Sequence, residues 1–354
     1  VDAGVTLTQL EDAVSSFDLT VGIDLAARGT CTIGGMVATN AGGGEAFRNG
    51  MTRQRVLGLE VVLPDGTVMS DLKKVIKANE GYDLKQIFIG SEGTLGIITG
   101  VVLKLEKAIG NRKTVLASTK NADDALCYFK RLHAMFGENL LSAEIMWKDY
   151  FVTICQELEF KGRFGNLQGE TYFIADVAVP QDDDRLLEVL GESLEVGKIS
   201  DAVIAKNEQE RNDIWRVREE SFLIDKAYPG GCWFDISIPL IELDSFVKES
   251  TSRVRAIDPA LKVFVMGHLG DGNLHDTIAK DAPVDHLSSD IATALYTGLS
   301  AIGGSFSAEH GIGTEKRSSM SKFVDPTKLS LMHAIKATID PMNIMNPGKV
   351  LPPK

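Results

Sequence analysis

The chain has 354 residues, 44% hydrophobic and 24% charged, a globular mix that excludes a disordered or fibrous protein. Its length fits one large domain or two ordinary ones, with core enough to fold without disulfide or metal staples. A net charge of −12 argues against nucleic acid or an anionic membrane surface as the main partner, while leaving room for a local basic pocket that holds a small acid.

Residues 3–17 read as a strand end followed by a short helix, with Thr8 as N-cap and Glu11 completing a capping box. A glycine-rich stretch occupies 30–50. A strand pair follows at 55–63 and 67–69, turning at Pro64-Asp65-Gly66, with a short strand at 86–89 and another at 97–105. Beyond 108, helical periodicity marks 121–136, 183–196, 206–226 and 284–301. Strands are expected at 113–118, 171–178, 234–238 and 262–267. A helix at 327–340 leads into the Pro/Asn-rich tail. The alternation predicts an α+β fold whose second domain has a mainly antiparallel sheet flanked by helices. The expected domains are 1–108, 109–330 and a C-terminal helix and tail at 331–354. Cys31, Cys127, Cys155 and Cys232 form no C-x-x-C pair and read as reduced core residues. No run of 18 apolar residues and no signal peptide is visible. The chain opens on Val1, already in an amphipathic segment, so residues upstream are expected to be missing.

Six glycines fall within 34–50, and Gly90-Ser-Glu-Gly-Thr-Leu-Gly96 forms a second cluster. Such turns let backbone N–H groups approach a phosphate. The spacing fits neither a Rossmann fingerprint nor a Walker loop, and two tight solvent-facing turns satisfy it equally. In order, the chain carries Thr32-Ile-Gly-Gly35, Asn40-Ala-Gly-Gly43, Arg48-Asn-Gly50, Leu57-Gly-Leu-Glu-Val-Val-Leu-Pro-Asp-Gly66 and Gly90-Ser-Glu-Gly-Thr-Leu-Gly-Ile-Ile-Thr99. Together these resemble the second half of a PCMH-type FAD-binding domain of the vanillyl-alcohol-oxidase superfamily. The remainder resembles the FAD-linked oxidase C-terminal domain, in the branch of D-lactate, D-2-hydroxyglutarate and glycolate dehydrogenases. The resemblance implies a partial PCMH-type domain plus a cap domain. It implies FAD contacts from Thr32, Ile33, Gly34, Gly35, Asn40, Ala41, Gly42, Gly43 and Gly50, from Glu92 and Gly93, from the backbone of Ile97, and from Asn346 in the tail.

Residues 262–275 read KVFVMGHLGDGNLH. If Gly270–Asn273 form the loop, His268 faces His275 across a hairpin, close enough to share a metal ion. A hairpin with two separately hydrogen-bonded histidines satisfies the spacing as well. Glu309 and His310, adjacent in FSAEHGIGTEK, add a carboxylate, and His268, His275 and Glu309 make a His₂-carboxylate set with an open position. The resemblance implies the same set as ligands of zinc, or of manganese or iron. It also implies His310 as base and Asn273 as a substrate contact.

On a helix through 211–222, Ile214, Arg218 and Phe222 share an apolar stripe. A buried guanidinium there needs an anion, either a substrate carboxylate or an internal partner. The resemblance implies the former, with Arg218 gripping the substrate. Two departures stand out. Trp233 stands near the place of a lysine that helps hold a distal carboxylate in the 2-hydroxyglutarate-type relatives it resembles, and Phe222 replaces a polar residue expected about one turn after the arginine. Both shift the expectation toward a monocarboxylate or a substrate with an apolar tail.

The expected reaction is FAD-dependent, metal-assisted oxidation of a D-2-hydroxy acid to the 2-oxo acid. A sugar- or alcohol-oxidising flavoenzyme and a non-catalytic metal- or flavin-binding module are the alternatives. Expected partners are the small acid and an electron acceptor (quinone, cytochrome or electron-transfer flavoprotein), with no nucleic acid and a homodimer allowed. The expected location is the cytoplasm, or the mitochondrial matrix in a eukaryote.

Overall fold

The computed structural model describes residues 1–160, 164, 167–180 and 182–353. They form two compact units, one of residues 1–108 with 309 onward, the other Ile109–Ala308. The sequence reading placed that second boundary at 330. The structure groups 309–330 with the first unit, because Ile312 and Gly313 donate their N–H groups to Glu92.

In the first unit, strands β1 (Leu19–Thr20), β2 (Val56–Val62), β3 (Val68–Asp71), β4 (Ile97–Leu103) and β5 (Glu106–Lys107) form two small sheets. β3-β2-β4 is antiparallel throughout, and β1 pairs with β5. Gly58 is required in β2, since a Cβ there would lie 2.5 Å from the Asp71 carbonyl. The helix Leu7–Ser15 is capped by Thr6 and Gln9, two residues upstream of the expected Thr8. Glu11 turns away to accept the Val21 N–H instead. Leu7, Ile33, Val37, Leu59, Val61, Phe88 and Val101 form the core. The expected strand 86–89 is a single helical turn, Lys85–Phe88. Phe88 and Ile89 are both buried, and consecutive burial does not suit a half-buried strand.

The second unit holds β6 (Arg112–Thr119), β7 (Leu140–Trp147), β8 (Thr171–Ala178), β9 (Asp201–Ile204), β10 (Cys232–Ser237), β11 (Lys262–His268) and β12 (Asn273–Ala279). They build one sheet in the order β10-β12-β11-β7-β8-β6-β9, with every neighbouring pair antiparallel. On one face, Leu116, Met146, Ile174, Phe264 and Met266 pack under Ile214 and Val217 of the helix Glu208–Glu219 and under Tyr150 and Ile154 of the helix Lys148–Glu157. Phe151 stacks on Tyr172 at 3.7 Å. Each such side chain contributes roughly 1.5–3 kcal/mol on burial. The predicted helix 206–226 is broken. It ends at Glu219, and Phe222 is 62% exposed rather than stacked below Arg218. No glycine or proline marks that end, so periodicity overran it.

Candidate active site

The polar end of this face is built by register. β7 pairs with β11 so that Glu144 lies opposite His268, and β11 pairs with β12 so that His268 lies opposite Asn273. Asp235 of β10 lies opposite His275. Paired residues share a face, and so do residues two apart on one strand. Glu144, His268, Asn273, His275 and Asp235 therefore all project to one side.

The hairpin loop is Leu269–Gly272, not 270–273, so His268 and His275 are diagonal rather than direct neighbours. Gly272 sets the turn. Its φ is +77°, its N–H closes on the His268 carbonyl at 3.0 Å, and a Cβ would meet the Ile238 carbonyl at 2.0 Å. The shift is two residues, which preserves parity. The imidazoles stay on one face with ring centroids 5.4 Å apart and planes at 85°.

Arg218 is buried, and its internal anion is Glu144, which the sequence reading missed. Arg218 Nε donates to Glu144 Oε2 at 2.7 Å, and His268 Nδ1 to Glu144 Oε1 at 2.8 Å. Burial works against the Glu144 charge, yet the His268 ring and the Arg218 guanidinium together hold its carboxyl below the usual range. The signal was available: Glu144 is the one acidic residue in the run LLSAEIMW, the β7 segment that was not predicted as a strand. Tyr150 also donates to the Arg218 carbonyl at 3.0 Å, fixing the helix.

Asn273 is 6% exposed. Its Nδ2 donates to Asp235 Oδ1 at 2.8 Å and to the Ile236 carbonyl at 3.0 Å, while its buried Oδ1 has no hydrogen-bond partner among the described residues. Asp235 Oδ2 also accepts the N–H of Ala308, the residue before Glu309, at 3.0 Å. On the opposite face, burial, with Asp235 adding, pushes Asp276 up to about 7.

In the first unit, Glu309 Oε2 accepts the N–H of Gly43 at 2.9 Å. Gly43 has φ +95°, and a Cβ there would lie 2.0 Å from the Asp24 carbonyl. His310 is exposed. Five amides of the glycine cluster donate within the protein: Ile33 to Val5, Gly34 to Ala3, Gly35 to the Thr32 hydroxyl, Ala41 to Met36 and Gly43 to Glu309. Ile33 lies in the core at 1% exposure, and the Asn40 side chain accepts from Arg53. Gly42 faces Glu309, and Gly50 turns against Gln54. Glu92 holds Ile312 and Gly313, and its carbonyl accepts from Asn346 Nδ2 at 2.6 Å, with Gly93 alongside. Ile97 is 58% exposed.

The divalent-cation reading can be tested on this donor set. A metal-binding histidine commonly donates its other ring N–H to a carboxylate, which fixes the tautomer. Glu144 accepts from His268 Nδ1, and the other ring nitrogen, Nε2, lies 3.5 Å from Arg218 Nη2. The donors fit a cation.

This α+β architecture is shared with solved structures of other proteins. Solved p-cresol methylhydroxylase with substrate bound is 16% identical with a TM-score of 0.73, covering 99% of this chain and 75% of that one. Solved alkyldihydroxyacetonephosphate synthase is 14% identical with a TM-score of 0.67, covering 98% and 63%. These likenesses concern the fold. The chain belongs to the family of FAD linked oxidases, C-terminal domain, which it matches over residues 110–350, and residues 1–72 match the FAD binding domain family. The mitochondrial D-2-hydroxyglutarate dehydrogenase of Bos taurus is 35% identical over 99% of this chain, which spans 64% of that protein's length. A D-2-hydroxyglutarate dehydrogenase of Stutzerimonas stutzeri is 31% identical over 98% of this chain and 75% of its own length. Among the described residues, no helix is long and apolar enough to cross a membrane.

Proposed function

We propose that the chain is the substrate-handling part of an FAD-dependent, divalent-metal-assisted dehydrogenase that oxidises a D-2-hydroxy acid to the 2-oxo acid. The observation that carries this reading is the buried Arg218–Glu144–His268 network beside His275 and the unpartnered Asn273 Oδ1. The names of the relatives point the same way.

Arg218 meets the substrate carboxylate through its terminal nitrogens, because Glu144 takes Nε and fixes the plane of the fork. Glu144 also sets the His268 tautomer, so the ring presents Nε2. Asn273, anchored by its amide nitrogen, offers Oδ1 to the hydroxyl group. His310 receives the hydroxyl proton on a ring nitrogen as general base. His268, His275 and Glu309 would hold the divalent cation, whose Lewis acidity, with FAD as two-electron acceptor, supplies the remaining chemistry.

The test is a panel of D- and L-2-hydroxy acids with an artificial dye acceptor, run on the full-length protein before and after chelation. The expected result is dye reduction by D-acids only, lost with the metal and restored by zinc or manganese. Reduction by no 2-hydroxy acid, or full activity after chelation, overturns the corresponding part.

A further inference from the structure

The seven-stranded sheet has a second face, turned away from Glu144 and His268. Side chains alternate along a strand, so Trp147, which follows Met146 in β7, stands on that face, as do Val263 and Val265 on either side of Phe264 in β11. Between these residues and the helix Leu243–Ile257 lies a cleft of about 550 Å³. Small-molecule pockets span roughly 300–1,000 Å³. The floor of the cleft is apolar: Val247 of the helix, Val263 and Val265 are all buried, and the Trp147 indole is half-buried among them.

The rim is polar, and its charges do not cancel. Three acids reach the cleft and each already faces a cation: Asp244 holds Lys248 at 2.5 Å, Glu170 holds Lys148 at 2.8 Å, and Asp149 lies 3.8 Å from Arg255. Asp244 also accepts the Ala122 N–H at 3.2 Å. A fourth cation, Lys120, lines the cleft with no acidic partner among the described residues. Beside it, Asn121 Oδ1 is spent capping the helix Ala122–Phe136. Asn121 Nδ2 and Trp147 Nε1 have no acceptor among the described residues. The uncommitted nitrogens of this wall are therefore all donors, and one positive charge is left over in a chain whose net charge is −12.

We propose that this cleft binds a small carboxylate with a flat apolar body, on the face of the sheet opposite Glu144 and His268. The carboxylate pairs with Lys120 and accepts from the free N–H groups of Asn121 and Trp147, bonds that an ionised acceptor strengthens. The body covers the three valines and lies against the indole, which favours a planar ring. A cationic ligand would meet Lys120, Lys148, Lys248 and Arg255 together, and a neutral one forgoes the charge of Lys120. The proposal does not depend on the reaction assigned to the other face.

The experiment titrates the full-length protein with 2-naphthoate, 2-naphthamide and 2-naphthylmethylammonium by calorimetry. Naphthoate is expected to bind at least about threefold more tightly than the amide, and the ammonium not at all. Lys120→Gln is expected to bring naphthoate down to the affinity of the amide. Thr251→Trp, which fills the cleft, is expected to abolish binding of both. Fluorine NMR of the wild-type protein labelled with 5-fluorotryptophan locates the ligand without relying on the folding of a filled variant. Of the three tryptophans, the Trp147 signal, identified by its loss in Trp147→Phe, is expected to move with naphthoate while those of Trp215 and Trp233 stay in place. No binding of naphthoate, equal or tighter binding of the amide or the ammonium, or an unmoved Trp147 signal overturns the proposal. Naphthoate affinity unchanged in Lys120→Gln, or in a folded Thr251→Trp, overturns it as well.

Discussion

The Gly43 N–H holds Glu309 Oε2 at 2.9 Å, so the glycine turn orients a carboxylate. Only a residue without a side chain fits at 43, given its φ of +95° and the Asp24 carbonyl beneath it. Glu309→Gln keeps an oxygen for that N–H and removes the charge. The expected outcome is an almost unchanged melting temperature with bound metal, measured by elemental analysis, falling well below one equivalent. Full metal content in the variant removes Glu309 from the ligand set.

Glu144 carries two cationic or polar partners from a nearly solvent-free position. Glu144→Ala strands the Arg218 guanidinium and unpins His268. The expected loss is about 3–5 kcal/mol of stability, the cost of breaking one side of a buried pair. Denaturant melts check it, and a loss below 1 kcal/mol would show that the guanidinium finds another partner.

Asn273 secures the hairpin mouth to Asp235 and Ile236. Asn273→Asp replaces a donor with a like charge beside Asp235. We expect about 1–3 kcal/mol of destabilisation, read by thermal unfolding, and a raised KM for the hydroxy acid. Asn273→Ala is expected to cost less stability while raising KM equally.

Replacement of His310, the proposed base, by alanine is expected to lower kcat by about a hundredfold to ten-thousandfold, with KM little changed. Single-turnover flavin bleaching by the D-acid is the measurement. An unaltered rate removes the assignment.

The turn after the last helix is held by Asp340. Burial opposes its charge, but Lys336 and the N–H groups of Met345 and Ile344 keep its carboxyl below the ordinary range. A depressed folded pKa gives stability that is fully present above the unfolded value near 3.9 and fades as pH falls through the folded value. Amide exchange at 344 and 345, corrected for intrinsic rates, is therefore expected to quicken below about pH 4. In Asp340→Asn the protection is lower and flat across that range. A wild-type turn equally protected on both sides of pH 4 would refute the role.

Much of this arrangement was legible in the residues. The β11–β12 hairpin announced itself by an apolar run and a glycine turn, and its histidines share a face even though the loop began one residue earlier than expected. Parity protected that reading, since a two-residue shift in register keeps every side chain on its own side. Arg218 was found because a charge on an apolar stripe demands an explanation. Its partner was not, because Glu144 is 74 residues away in sequence and the pairing exists only once β7 and β11 are adjacent.

The triangle of Arg218, Glu144 and His268 also constrains how such sequences diverge. Any one of the three changed alone leaves the others with an uncompensated charge or a misdirected ring, so drift through single steps crosses a barrier of poorly folded intermediates. Descendants of this chain should conserve all three positions together or replace them as a set. A lineage that has lost Glu144 should have abandoned Arg218 as well.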